Sequence, residues 1–166
     1  MTAQPLLVPL HRYMIGVIPA ATSPVVILGD GTLQQQSMVG ARGDAIALLL
    51  QRYGERGTLH VIVQDAPWPR TDAPATSAEV AKARSIAETA IRWAALCEEH
   101  GVRIALVRRA TWIVGLRKAG LSQDDTDDRI DSLRTATLLA HAPVLPTHAD
   151  AVCLAYWGET SLLPTE

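Results

Sequence analysis

The run from Thr147 to Gly158, T-H-A-D-A-V-C-L-A-Y-W-G, restricts the fold of this chain more than any other segment. Wound as a helix, it spreads Ala149, Ala151, Val152, Leu154, Ala155, Tyr156 and Trp157 around nearly its whole circumference. A helix that is apolar all round must be covered on several sides. Asp150 is the exception within it, and a carboxylate is almost never fully buried without a partner. Asp150 therefore either caps this helix at its start or faces a polar site.

The rest of the chain supplies what could cover such a helix. Tyr13 to Ile18 and Val25 to Leu28 are short runs rich in β-branched residues, and G-D-G at Gly29 to Gly31 makes a tight hairpin turn into Thr32 to Ser37. A helical face over Ala41 to Tyr53 ends at Gly54 and Gly57. A mostly apolar strand follows, Leu59 to Gln64. The next helix runs from Ser77, a plausible N-cap, to His100, with Gly101 as its C-cap glycine and Val102 to Val107 as the strand beyond. Strand, long crossover helix and strand imply a parallel pair, so the sheet is mixed. Thr111 to Gly120 forms a short helix or turn. The acidic run D-D-T-D-D at Asp124 to Asp128 opens a helix reaching about His141, where carboxylates favour the positive end of the helix dipole.

At 166 residues and 17.9 kDa there is room for one domain with a core of Ala, Leu, Val and Ile. That domain is expected over residues 12–158, after an irregular arm at 1–11 holding Pro5 and Pro9 and before a tail at 159–166. A net charge of −2 offers no global attraction to a polyanion, so any nucleic-acid contact needs a local patch. Cys97 and Cys153 lie far apart in apolar helical patterns and read as core residues. No stretch reaches the roughly 18 apolar residues of a membrane span, and the expected location is the cytoplasm.

Four short motifs carry a family resemblance. I-G-V-I-P-A at Ile15 to Ala20, H-V-I-V-Q-D-A-P-W at His60 to Trp68, V-R-R-A-T-W at Val107 to Trp112 and H-A-D-A-V-C-L-A-Y-W-G at His148 to Gly158 resemble, in order and spacing, RuvC-type Holliday-junction resolvases. The resemblance covers roughly residues 12–158. It implies an α/β, ribonuclease H-like fold: a mixed five-stranded sheet, an antiparallel meander followed by parallel strands, flanked by helices. It also implies a dimeric, two-metal phosphodiesterase. That chemistry places two Mg²⁺ ions about 4 Å apart and needs several converging carboxylates.

Carried over one residue at a time, the family's metal positions fall largely on residues unable to serve. The first-strand acid falls on Ile18, the central-strand acid on Gln64, and the first of the last-helix pair on Thr147, with His148 one position out of register. Only Asp150 matches. Possible substitutes are Asp30, which also reads as a plain turn residue, Asp65, which strand alternation points away from the site, and His148. One local basic stretch, Arg103, Arg108, Arg109, Arg117 and Lys118 around Trp112, reads either as a nucleic-acid contact or as a solvated face over a core tryptophan. Trp68 and Arg70 add exposed candidates. The acidic run fails as a calcium loop, since Ile130 stands where glycine is needed. It would also repel phosphates.

The resulting expectation is a RuvC-like protein without its nuclease activity, binding no metal or other cofactor. It acts as a binding or assembly module for branched or double-stranded DNA or for a protein partner in a DNA-processing or phage-type system. It has no membrane partner and pairs as a homodimer through the alanine-rich helix 77–100, where Ala83, Ala87, Ala90, Ala94 and Ala95 allow close approach. The alternatives are an active, divergent Mg²⁺-dependent junction nuclease, with Asp150 catalytic, and a purely structural homodimeric subunit.

Overall fold

The computed structural model describes residues 11–65, 76–118 and 132–162. The elements in order are β1 (His11–Val17), β2 (Thr22–Gly29), β3 (Thr32–Gly40), α1 (Gly43–Gly54), β4 (Gly57–Gln64), α2 (Ser77–Glu99), β5 (Arg103–Val107), α3 (Arg109–Lys118), α4 (Ser132–Ala140) and α5 (Ala149–Ser161). A short 3₁₀ turn, Pro146–His148, leads into α5. The strands form one sheet in the order β3-β2-β1-β4-β5. β1, β2 and β3 pair antiparallel, while β4 lies parallel to both β1 and β5. This is the mixed sheet the sequence predicts.

Local chemistry explains the boundaries. Asp30 and Gly31 both have positive φ, 50° and 81°, the pair of left-handed residues that a two-residue type I′ hairpin requires. The Asp30 carboxylate then ties the turn to β1, accepting from the Arg12 backbone N–H at 2.9 Å and bonding His11 Nδ1 at 2.8 Å. Helix α2 starts one residue earlier in its capping than expected: Thr76, not Ser77, accepts from the Glu79 N–H. At its other end Gly101 (φ 67°) fulfils the C-cap role, with the Gly101 N–H on the Glu98 carbonyl and the Val102 N–H on that of Cys97. The first strand ends at Val17 rather than Ile18, although the Ile18 N–H still donates to the Pro24 carbonyl at 3.2 Å.

Strand alternation splits the apolar residues into two cores, one on each face. Tyr13, Ile15, Val17, Val61 and Val63 pack against Ile46, Leu50 and Tyr53 of α1 and Trp93 and Cys97 of α2. On the other face Met14, Val26, Leu28 and Ile62 pack against Trp112, Ile113 and Leu116 of α3 and against α5. Helix α5 is enclosed between β1, β2 and β4 on one side and α3 and α4 on the other. That enclosure is why Ala149, Ala151, Val152, Cys153, Leu154, Ala155 and Gly158 are all buried. Its seat depends on Gly16, where a Cβ would lie 2.6 Å from the Ala151 carbonyl oxygen and 2.8 Å from the Ala155 Cβ. Both cysteines are free and buried, and burial pushes each thiol up to about 12. Among the described residues no helix is long and apolar enough to cross a membrane.

The arm at 1–10, Trp68 and Arg70, the acidic run from Asp124 to Asp131, and residues 163–166 lie outside the described residues.

Candidate functional site

Parallel strands bring their C-terminal ends to one edge of a sheet, and here that edge carries Ile18, Gln64 and Val107. The ladder pairs Val17 with Val63 and Gln64 with Val107. Ile18 and Gln64 thus follow as neighbours on adjacent strands. Alternation turns both toward the α5 face, where Ile18 packs against the core that includes Ala151 and Val152. Because α5 is seated at Gly16 through Ala151, its first turn lies over the same edge, and Asp150 is in that turn. The three carried-over positions Ile18, Gln64 and Asp150 are therefore brought together by the fold.

What they do there differs from the sequence expectation in one respect. Asp150 neither caps the helix, whose N-cap has no side-chain hydrogen bond, nor stands as an open carboxylate. Its Oδ2 accepts from Arg109 Nη1 at 2.6 Å, an ion pair with the two side chains 33% and 42% exposed. The Arg109 guanidinium also lies over the Trp112 ring, 5.2 Å from its centroid. Trp112 Nε1 in turn donates to Gln64 Oε1 at 3.0 Å. Asp150, Arg109, Trp112 and Gln64 form one continuous polar chain across the strand ends.

The remaining candidates are placed elsewhere or committed to other partners. Thr147 Oγ1 bonds His148 Nδ1 at 2.9 Å, and His148 Nε2 bonds the Ser37 carbonyl at 2.7 Å. His148 is 2% exposed and fastens the turn before α5 to β3, which is a structural task rather than that of a substitute ligand. Asp30 is at the opposite end of β1, held by His11 and Arg12, so it cannot act beside Asp150. Those hydrogen bonds, His11 first, hold its carboxyl below the usual carboxylate value. Asp65 donates its backbone N–H to the Val107 carbonyl at 2.8 Å, which extends the ladder and sends its side chain to the face away from Asp150.

The basic stretch is divided in the same way. Arg103 begins β5 and belongs to the N-terminal ends of the parallel strands, away from Arg108 and Arg109. Trp112 is fully buried and offers no face for a base to stack on, which corrects its expected nucleic-acid role. Arg109 is held by Asp150. Arg117 is half-buried on α3, and Arg108 and Lys118 are exposed near the two ends of that helix.

These contacts leave little for a divalent ion. Ile18 has no donor atom, the Gln64 carbonyl oxygen accepts from an indole, and one Asp150 oxygen is taken by a guanidinium that repels a cation. Among the described residues no group of three or more His, Cys, Asp or Glu side chains converges as metal ligands. The described residues do not fit a two-metal centre.

The sequence reading missed the role of Arg109, which it assigned to a solvent-facing patch. A signal was present: Arg109 lies two residues past the end of β5, the strand next to β4, and a half-buried Asp150 calls for a cation.

The strand order and the flanking helices make a ribonuclease H-like α/β fold. Two solved structures show the same architecture. The Thermus thermophilus RuvC structure superposes with a TM-score of 0.60 at 14% identity, over 89% of this chain and 93% of that one. T. thermophilus RuvC in complex with Holliday junction substrate gives 0.61 at 14% identity, over 90% and 93%. At that identity the likeness establishes a RuvC-like fold. No family model matches the sequence, and no curated protein matches it.

Proposed function

We propose that this chain is a RuvC-like DNA-binding or assembly module that has lost metal-dependent cleavage. One observation carries the reading: the Arg109–Asp150 ion pair. A resolvase-type site needs several carboxylates to attract Mg²⁺, whereas here the positive charge beside the remaining carboxylate belongs to the protein itself. Ile18 and Gln64, next to it on the sheet, add no compensating negative charge.

The DNA part of the proposal draws on the likeness to T. thermophilus RuvC in complex with Holliday junction substrate. Among the described residues, Arg108 and Lys118, exposed near the two ends of α3, are offered for phosphate contact. Pairing as a homodimer through α2 belongs to the same proposal. The first turns of α2 are exposed, as are Val80 (40%) and Ile91 (65%). Ala90 is buried in the chain's own core, so Ala83, Ala87, Ala94 and Ala95 remain for a second copy. No cofactor is required, and the expected setting is the cytoplasm.

A four-way DNA junction distinguishes the readings. The expected result is a metal-independent gel shift that weakens steeply as salt rises, with no cleavage in Mg²⁺ or Mn²⁺. Metal-dependent cleavage abolished by Asp150→Asn would instead establish the active nuclease, and neither binding nor cleavage would leave a structural subunit. Restoration probes the site directly. Ile18→Asp with Gln64→Glu should bind Mn²⁺ only when Arg109→Gln is added to release Asp150, read by the ion's paramagnetic broadening of nearby resonances.

A further inference from the structure

The opposite end of the sheet holds a cleft that no part of the proposed function uses. A volume of about 560 Å³ opens at the N-terminal ends of the parallel strands, lined by Arg12, Gly54, Gly57, His60, His100 and Arg103 among others. The ladder explains why its cations converge. His60 pairs directly with Arg103 across β4 and β5, and Arg12 pairs with Thr58, two residues before His60. With a side-chain period of two, Arg12, His60 and Arg103 all project from the same face. At Gly54 and Gly101 an added Cβ would meet nothing within 4 Å, so the rim is open.

The polar groups in this cleft are incompletely satisfied. His60 Nδ1 is buried and has no hydrogen-bond partner among the described residues. Arg103 makes no ion pair among them either. The acid that reaches this side, Glu159 of α5, holds Arg12 through one oxygen at 3.3 Å, leaving the rest of that guanidinium's fork. The result is two guanidinium groups and an imidazole around a concavity, with Glu159 engaged to Arg12 through one oxygen and its other oxygen buried without a hydrogen-bond partner among the described residues. His100, at the α2–β5 turn, is the other titratable group on its wall. Burial, then the fields of Arg103 and Arg12, hold the His60 imidazole below its ordinary value, so it is a neutral donor at neutral pH.

We propose that this cleft binds the phosphate group of a small organic molecule, with Arg103 and Arg12 as forked donors and His60 Nδ1–H as a third donor. A carboxylate is matched by one guanidinium fork, whereas three donors on separate strands suit the three oxygens and double charge of a phosphate monoester. The volume falls within the roughly 300–1,000 Å³ of small-molecule sites and exceeds what a lone ion fills.

The test uses the full chain with inorganic phosphate and adenosine 5′-monophosphate as probes, followed by calorimetry and by the His60 ring resonances. Both probes are expected to bind, the nucleotide at least as tightly, and each should raise the pH at which His60 titrates. Arg103→Gln, an exposed position, should weaken both by about tenfold and reduce the His60 response. Arg103→Lys should recover part of the affinity, since it restores the charge without the fork. Three results overturn the proposal: His60 unmoved by millimolar phosphate and nucleotide, acetate moving it equally, or Arg103→Gln weakening only junction binding. The last would make Arg103 a nucleic-acid backbone contact.

Discussion

The two ends of the parallel strands are built from similar residues and end up chemically opposite. At the C-terminal end, a carboxylate, a guanidinium, an indole and an amide satisfy one another in a chain from Asp150 to Gln64. At the N-terminal end, Arg12, His60 and Arg103 face a cleft with a buried imidazole nitrogen that has no partner among the described residues. Charge by itself would mark both ends as sites. Satisfaction separates them: a polar group already paired inside the protein has little to offer a ligand, whereas an unpaired buried one retains a cost that a ligand can remove.

The largest test of this contrast is Trp112→Ala. It removes a fully buried indole that also orients Gln64 and supports Arg109, and we expect a loss of about 3–5 kcal/mol in urea unfolding. Trp112→Phe keeps most of the volume and removes the donor to Gln64. Its additional cost should be about 1 kcal/mol, and a much larger value would show that the polar chain carries more of the stability than packing does. Next comes the Arg109→Gln, Asp150→Asn double-mutant cycle. Both groups are more than a third exposed or close to it, so screening limits their coupling to about 1 kcal/mol or less, falling further with salt. Zero coupling at low salt would break the claim that this edge is closed by its own ion pair.

The smallest effect is expected at the other end and concerns pH. The folded His60 pKa lies below its ordinary value of 6.5, so between the two values the unfolded chain binds the extra proton. Stability from this group is complete above about pH 6.5 and is lost as pH falls through the folded value. His60→Gln should flatten that slope in pH-dependent unfolding, and added phosphate should reduce it in the wild type. Asp150→Asn should leave the slope unchanged in this window.

Most of the fold is legible in the sequence because it rests on local rules. Period-two runs, the Asp30-Gly31 turn, the Gly101 stop and the crossover helix between two apolar strands leave few topologies open. The helix from Ala149 announced its own burial through Ala151, Val152, Leu154 and Ala155. The site was only partly legible. The fold gathers Ile18, Gln64 and Asp150 at one edge, yet Arg109 was read from its chemical type as part of a surface patch, and Trp112 was left open between a nucleic-acid contact and a core residue. A tryptophan after two arginines has the same composition whether it faces solvent or Gln64. Capping was misjudged by one residue at Thr76 for a similar reason, since Thr and Ser are both good N-caps and only backbone geometry chooses between them.

By itself the sequence determined the element order, the two-faced core and the poverty of acids at the strand ends, because each follows from residue types at fixed spacing. Only the tertiary structure decided that Arg109 neutralises Asp150 while Arg103, a few residues earlier, is left with Arg12 and His60 at the opposite edge. The physical reason is the strand between them. β5 carries the chain from one edge of the sheet to the other, so charges that read as one cluster are delivered to two environments, one already satisfied and one not.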